Sequence, residues 1–132
     1  MVNLKLVSCE EKYWEFIREL RMNKKVVNGF IKNTFISKND QKKYMLKYND
    51  NYFIALLNDV PVGFVGVIDD DIRICTHPDF QKIGVAKFML NSISQLFPTA
   101  FGKIKIENEA SKKLFESCGF KPKFLIYTNE KV

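Results

Sequence analysis

The residues that could do chemistry lie close together near the middle of the chain. A run of apolar residues ends at Thr76-His77-Pro78, a turn follows, and Gln81-Lys82-Ile83-Gly84-Val85-Ala86 opens a stretch in which Val85, Met89, Ile93 and Leu96 recur at helical spacing. This places a helix N-terminus directly after a buried strand. Such an end carries unpaired N–H donors and a partial positive charge, which suits an anion. Gly84 lets backbone approach a ligand closely, and Ala86 keeps the first turn small. The spacing specifies a seat for a diphosphate more directly than it specifies a reaction, and an ordinary strand-turn-helix satisfies it equally well. No Gly-Lys-Ser/Thr follows, so it is not a nucleoside-triphosphate loop, and the three glycines of the dinucleotide fingerprint are missing.

Other chemistries are poorly supplied. Cys9, Cys75 and Cys118 are widely spaced, with no Cys-x-x-Cys pair, so neither a disulfide framework nor a zinc site is expected. His77 is the only histidine, and no Gly-x-Ser-x-Gly elbow accompanies it. The 132 residues carry 21 bases and 15 acids, a net +6. Between Arg18 and Lys47 nine bases face two acids, a local +7 that would attract phosphate-bearing partners. However, 18 of the 21 bases are lysine, whereas arginine reads guanine edges bidentately, so nucleic acid is not the expected partner. A solvated helical face accounts for the lysines. The longest apolar run, residues 60–68, is about half of the ~20 residues that a membrane span needs. Residues 1–11 lack the basic-then-apolar layout of a secretory signal. The expectation is a soluble, cytoplasmic protein, with residues 1–132 forming one domain.

The elements that must position this segment follow from pattern. Residues 3–7 alternate as a strand, and Ser8 with Glu11 reads as a capping box opening a helix striped by Tyr13, Ile17 and Leu20, with Phe16 beside them. Residues 23–36 are irregular or a short helix. Ser37 starts another helix, with Gln41, Tyr44, Met45 and Tyr48 on a weakly apolar face. Residues 52–57, 60–68 and 72–76 read as an antiparallel meander turning at Asn58-Asp59 and Asp69-Asp70-Asp71. Gly63 and Gly66 suggest close backbone approach. After the helix of residues 84–97, residues 103–107 alternate as a strand. Asn108 caps a last helix ended by Gly119, with Phe120 packing back, and residues 124–128 read as a closing strand. The order is β-α-α-β-β-β-α-β-α-β, an α+β domain.

The string from Thr76 to Ala86 resembles the signature of the GNAT superfamily of N-acetyltransferases, in which Arg/Gln-x-x-Gly-x-Gly/Ala follows such a strand. Asn108-Glu109-Ala110, Leu114-Phe115 and Gly119-Phe120 are similar to its downstream Asn-x-x-Ala/Ser, aromatic and Gly-Phe pattern. The resemblance covers residues 50–122 well and the N-terminal third in outline. It implies a mixed, mostly antiparallel twisted sheet flanked by helices, splayed between the two strands on either side of the helix that begins near Gly84. It also implies acetyl-CoA as co-substrate and no metal. The backbone of Ile74, Cys75 and Thr76 would pair with the pantetheine arm, and the amides around Gln81, Lys82, Ile83, Gly84, Val85, Ala86 and Lys87 would cradle the pyrophosphate. Asn108 and the residue at Phe115 would lie near the thioester end.

One departure bears on the chemistry. Many family members carry a tyrosine where this chain has Phe115, and phenylalanine cannot protonate a departing thiolate; Tyr127 and Cys118 could substitute but read as residues that pack the core. The attacking amine must lose a proton, and Asp70 is the candidate base by its position before the strand end. His77 reads as structural. The resemblance therefore implies transfer of an acetyl group to a primary amine of a small molecule, an amino sugar among the candidates, by direct attack on the thioester. The alternatives are a non-catalytic acyl-CoA sensor, acetylation of a protein N-terminus or lysine, and a nucleic-acid-binding module. Members often pair through their sheets, so a homodimer is expected.

Overall fold

The computed structural model describes residues 3–26 and 35–131. The part of the segment at 23–36 that the sequence leaves open lies largely outside them. Among the described residues, eight strands and α-helices run in the order β1 (Leu4–Ser8), α1 (Trp14–Arg21), α2 (Lys38–Tyr48), β2 (Tyr52–Leu57), β3 (Val60–Ile68), β4 (Asp71–Thr76), α3 (Val85–Leu96) and α4 (Glu109–Ser117). The strands form one antiparallel sheet in the order β1-β2-β3-β4. Both tight turns have left-handed central residues: φ is 49° and 70° at Asn58 and Asp59, and 53° and 64° at Asp69 and Asp70. Two-residue hairpins favour this geometry because it matches the strand twist, and Asn and Asp tolerate it best after glycine.

Alternation along the strands sends side chains into two layers. Ile54, Phe64 and Cys75 face α1 and α2 with Ile17, Leu20 and Met45, while Val65, Val67 and Ile72 face α3 with Val85, Met89 and Ile93. Nearly all of β3 is buried, since both faces of the sheet are covered. The close approach expected at Gly63 and Gly66 is present: a Cβ on Gly66 would lie 2.6 Å from the Tyr52 ring, and one on Gly63 2.8 Å from the Cys75 carbonyl. The weakly apolar face of α2 packs through polar links. The Gln41 amide donates to the Trp14 carbonyl (3.0 Å), and the Trp14 indole N–H donates to Asn49 (2.8 Å).

Three expectations are corrected. The Ser8–Glu11 capping box does not form: Ser8 pairs with Phe53 as the end of β1, Cys9 N–H donates to the Tyr52 carbonyl, and Glu11 begins a 3₁₀ turn. Ladder pairing wins over the cap there. Residues 103–107 form no strand; after α3 the chain touches β4 through one parallel bridge, Asp71 to Phe101, and then diverges. Residues 124–128 form no strand either; they run exposed, so no buried face holds them extended. Among the described residues the sheet is accordingly four-stranded and antiparallel, with that bridge as its parallel element.

Candidate functional site

The predicted segment lies at the C-terminal end of β4. His77 closes the strand: its N–H donates to the Val62 carbonyl (2.8 Å), its Nδ1 accepts from Asp79 N–H (3.1 Å), and its ring meets Phe80 edge-on. His77 is a turn-holding residue, as its sequence reading had it. From there residues 81–84 run exposed over the surface, and Val85, 1% exposed, anchors the start of α3 in the core. Lys82 and Gly84 both adopt left-handed backbone, at φ 65° and 93°. A Cβ on Gly84 would meet no atom within 4 Å, so glycine is favoured there by its left-handed conformation and not by neighbours within the chain.

The three longer helices end differently at their N-termini. Helix α2 is capped by Ser37 Oγ, which accepts from Asp40 N–H, and carries Asp40 in its first turn. Helix α4 is capped by Asn108 Oδ1, which accepts from Ser111 N–H, and carries Glu109. Helix α3 has neither a capping side chain nor an acid in its first turn. Its ladder begins with Phe88 N–H donating to the Gly84 carbonyl (3.0 Å). The preceding amides, at Val85, Ala86 and Lys87, have no acceptor in the helix. The macrodipole and the exposed Lys87 both add positive potential at this end. A helix end without a side-chain cap or a first-turn acid can accept an anion.

The outer edge of β4 leads to that turn. Ile72 N–H donates across this edge to the Phe101 carbonyl (2.8 Å). By the period-2 alternation of a strand, Ile74 and Thr76 present their N–H and C=O groups to the same side. There the following segment has already diverged, so β4 keeps a strand partner only on its β3 side beyond Arg73. The Thr76 carbonyl receives a long hydrogen bond from the Gln81 side chain (3.5 Å), which ties the strand end to the turn. Thr76 Oγ1 is buried without a hydrogen-bond partner. A ligand with amide groups laid along this edge and a diphosphate at the turn would satisfy these backbone groups.

The remaining candidates are placed as follows. The Cys75 side chain points into the opposite layer, toward α1 and α2, and burial pushes its thiol up to about 12. By the same alternation its backbone N–H and C=O face β3, so Cys75, expected to pair with a pantetheine arm, presents no group to the open edge. Asn108 uses its Oδ1 to cap α4, leaving the side-chain NH₂ as its outward donor. Phe115 is a core residue, edge-on to Phe120 at 5.1 Å and lying over Gly102, where a Cβ would come within 2.3 Å of its ring. Nothing in the sequence singles out Gly102, a lone glycine whose role emerges only when α4 folds over it. Asp70 sits at the opposite end of β4, accepting from Thr99 Oγ1 at 3.2 Å. Its left-handed φ breaks the alternation that would have aligned it with Ile72, Ile74 and Thr76. Tyr127, expected to pack the core, is instead exposed, because the segment that carries it leaves the domain surface, and Cys118 is half-buried. Two surface cavities of about 250 Å³ lie on the α1–α2 side, one lined by Trp14 and Lys47, the other by Arg21, Gln41 and Tyr44. Neither is at the Gly84 turn.

Comparison with known proteins agrees with this geometry. No curated protein sequence matches the chain. Among solved structures, a spermidine N-acetyltransferase from Vibrio cholerae, in complex with CoA and spermine, superposes with a TM-score of 0.80 at 19% identity, covering 92% of this chain and 82% of that one. A domain from Methanocaldococcus jannaschii gives 0.79 at 21% identity, over 92% and 90%. An aminoglycoside N-acetyltransferase in complex with CoA gives 0.72 at 17% identity, over 100% and 97%. At such identities these structures establish the fold. Among the described residues no helix is long and apolar enough to cross a membrane. The family model of the GNAT acetyltransferase domain matches residues 48–122, from the end of α2 through Phe120, and so spans β4, the Gly84 turn and α4. The chain belongs to the GNAT family of acetyl-CoA-dependent N-acetyltransferases.

Proposed function

We propose that residues 1–132 act as one domain that transfers the acetyl group of acetyl-CoA to the primary amine of a small molecule, by direct attack of the amine on the thioester. The observation that carries this reading is the uncapped, acid-free N-terminus of α3 at the open edge of β4. The amides of residues 82–87 would hold the pyrophosphate, with Lys82 and Lys87 near the nucleotide phosphates. Ile74 and Thr76 would pair through their backbone with the pantetheine amides, and the Asn108 NH₂ would reach toward the thioester end. When bound, the co-substrate supplies an activated acyl carbon and a thiolate leaving group. The chain's contribution is position: an amine and a carbonyl held in attack geometry gain several kcal/mol relative to free encounter. Neither buried cysteine is suited to carry the acetyl group, since burial raises both Cys9, to about 11, and Cys75.

The acceptor side is expected beside α1 and α2, across the sheet from α3. The solved relatives named above act on spermidine and on aminoglycosides by their descriptions; an amino sugar is the acceptor class we favour. Phe115 offers no proton to the departing thiolate, and the amine's own proton can serve once it has attacked. Asp70 remains a base to be tested by Asp70→Asn; held by Thr99 in its turn, it should change kcat by less than about tenfold, whereas a general base contributes ~10²–10⁴.

Thiol release measured across amino sugars, polyamines, amino acids and peptides tests the reaction, and failure of every class would end the catalytic reading. Coenzyme A titration against wild type and Gly84→Val tests the site. The variant should lose at least about tenfold in affinity, because a β-branched residue resists φ near 93° and places its side chain where the phosphates approach. Unchanged affinity would remove the pyrophosphate seat. A sensor without transfer is the second reading, favoured by Phe115. Tight CoA binding with no acetylation, unaltered in Phe115→Tyr, would establish it.

A further inference from the structure

Lysine supplies 18 of the 21 bases, and two of the three arginines act on one place. Arg18 is held locally, donating to Glu15 (2.8 Å) and to the Ile36 carbonyl (2.8 Å). Arg21, at the end of α1, lines the cavity of about 250 Å³ together with Asp40, Gln41 and Tyr44. The Tyr44 and Tyr52 hydroxyls share a hydrogen bond at 2.7 Å, which joins this cavity to the sheet. There Tyr52, Gly66 and Arg73 stand in register across β2, β3 and β4, on the face covered by α1 and α2. Because Gly66 has no side chain, the Tyr52 ring lies over it. Burial keeps the Tyr52 hydroxyl protonated, and the charges of Arg21 and Arg73 both act on it from the opposite direction. Arg73 meets Asp71 through Nε (3.3 Å), and Asp71 is shared with Lys103 at 3.7 Å. Cations thus outnumber acids around this row, with Arg21, Arg73 and Lys103 set against Asp71 and the exposed Asp40.

On the co-substrate placement proposed above, a pyrophosphate at residues 82–87 and an arm laid along β4 bring the thioester end back toward Arg73. From that placement we infer that Arg21 and Arg73, with the Tyr44–Tyr52 hydroxyl pair between them, bind an anionic group of the acceptor, so that the acceptor is an amine that also carries a phosphate or a carboxylate. The guanidinium fork matches the oxygens of either group bidentately, whereas a lysine ammonium is a point charge. Paired hydroxyls can rotate to donate to the same oxygens. A polyamine is disfavoured at this position, because its ammonium groups would face two guanidiniums. An amino sugar fits when it bears an acid group.

The test is calorimetric binding to the full chain, followed by thiol release, with paired probes: glucosamine with and without a phosphate ester, alanine against alaninamide, and spermidine. In at least one pair the acid-bearing amine should bind about tenfold more tightly, as expected for a charge-assisted hydrogen bond. The pair that shows this identifies phosphate or carboxylate as the group bound. Arg21→Gln and Arg73→Gln should each remove most of that preference, and Arg73→Lys should recover part of it. Neither arginine is fully buried, so the variants should keep their near-ultraviolet circular dichroism; the comparison of probes on the wild type needs no variant. Equal binding within both pairs, tighter binding of spermidine than of either acid-bearing amine, or a preference that neither glutamine variant diminishes would overturn the site. Binding requires no transfer. An acid preference without thiol release would keep this site and end the catalytic reading, and acetylation of neutral amines alone would do the reverse.

Discussion

Residues 52–76 and residues 101–128 carry the same kind of sequence, runs of aliphatic and aromatic residues broken by turn formers, yet only the first region becomes a sheet within the chain. In the first, each strand is followed within two residues by its partner, and Asn58-Asp59 and Asp69-Asp70 supply the left-handed turns that fold it back. In the second, helix α4 separates the two candidate strands, and no short turn brings them together. Strand composition states a preference for a pleated, half-buried surface; pairing geometry decides whether one exists.

Substitutions can break or sharpen this contrast. The largest effect is expected for Gly66→Val in the paired region, where the new Cβ would press into the Tyr52 ring. Tyr52 is buried and hydrogen-bonded to Tyr44 at 2.7 Å, so it cannot yield. A loss of about 2–3 kcal/mol, the upper part of the range for overpacking, should appear in denaturant unfolding. Next is alkaline pH. Cys75 has its thiol raised by burial to about 12 from 9.0, so above pH 9 the unfolded chain releases a proton that the folded chain retains. The stability this thiol contributes is complete below pH 9 and is lost as pH climbs toward 12, at up to about 1.4 kcal/mol per pH unit. Cys75→Ala should flatten that slope. Before unfolding, an alkylating reagent should modify the half-exposed Cys118 of the second region ahead of the buried Cys9 and Cys75.

The counterpart of the first substitution is Gly102→Val. Its Cβ would approach Phe115 even more closely than Gly66's would approach Tyr52, but residue 102 lies outside the sheet and its backbone can shift. A cost of about 1 kcal/mol is expected. A cost equal to that of Gly66→Val would mean the second region is held as firmly as the first, and would end the comparison. The smallest effect separates two caps: Ser37→Ala should lose ~1 kcal/mol with the hydrogen bond from Asp40 N–H, and Ser8→Ala, which caps nothing, under about 0.5 kcal/mol.

Much of the fold is legible in these residues. Strands β2 and β3, the two tight turns, the Ser37 and Asn108 caps and the left-handed Gly119 all follow from local rules, because each is decided by neighbours within a few positions. The turn from Gln81 to Ala86 is legible for the same reason. What escapes local reading is any feature whose partner lies far along the chain. Ser8 and Glu11 make a capping box on paper, and the β1–β2 ladder claims Ser8 first. Asp70 falls into register with β4 on paper, and the hairpin turn and Thr99 take it away.

By itself the sequence determined where the longer helices and the tight turns form and how α2 and α4 are capped, because hydrogen bonds over three or four residues are written in consecutive side chains. Only the tertiary structure decided that β4 keeps an open edge beside the start of α3, that Cys75 and Phe115 are turned into the core, and that residues 103–107 and 124–128 join no sheet among the described residues. Those outcomes depend on which surfaces meet across dozens of residues, and packing, unlike propensity, belongs to the whole chain.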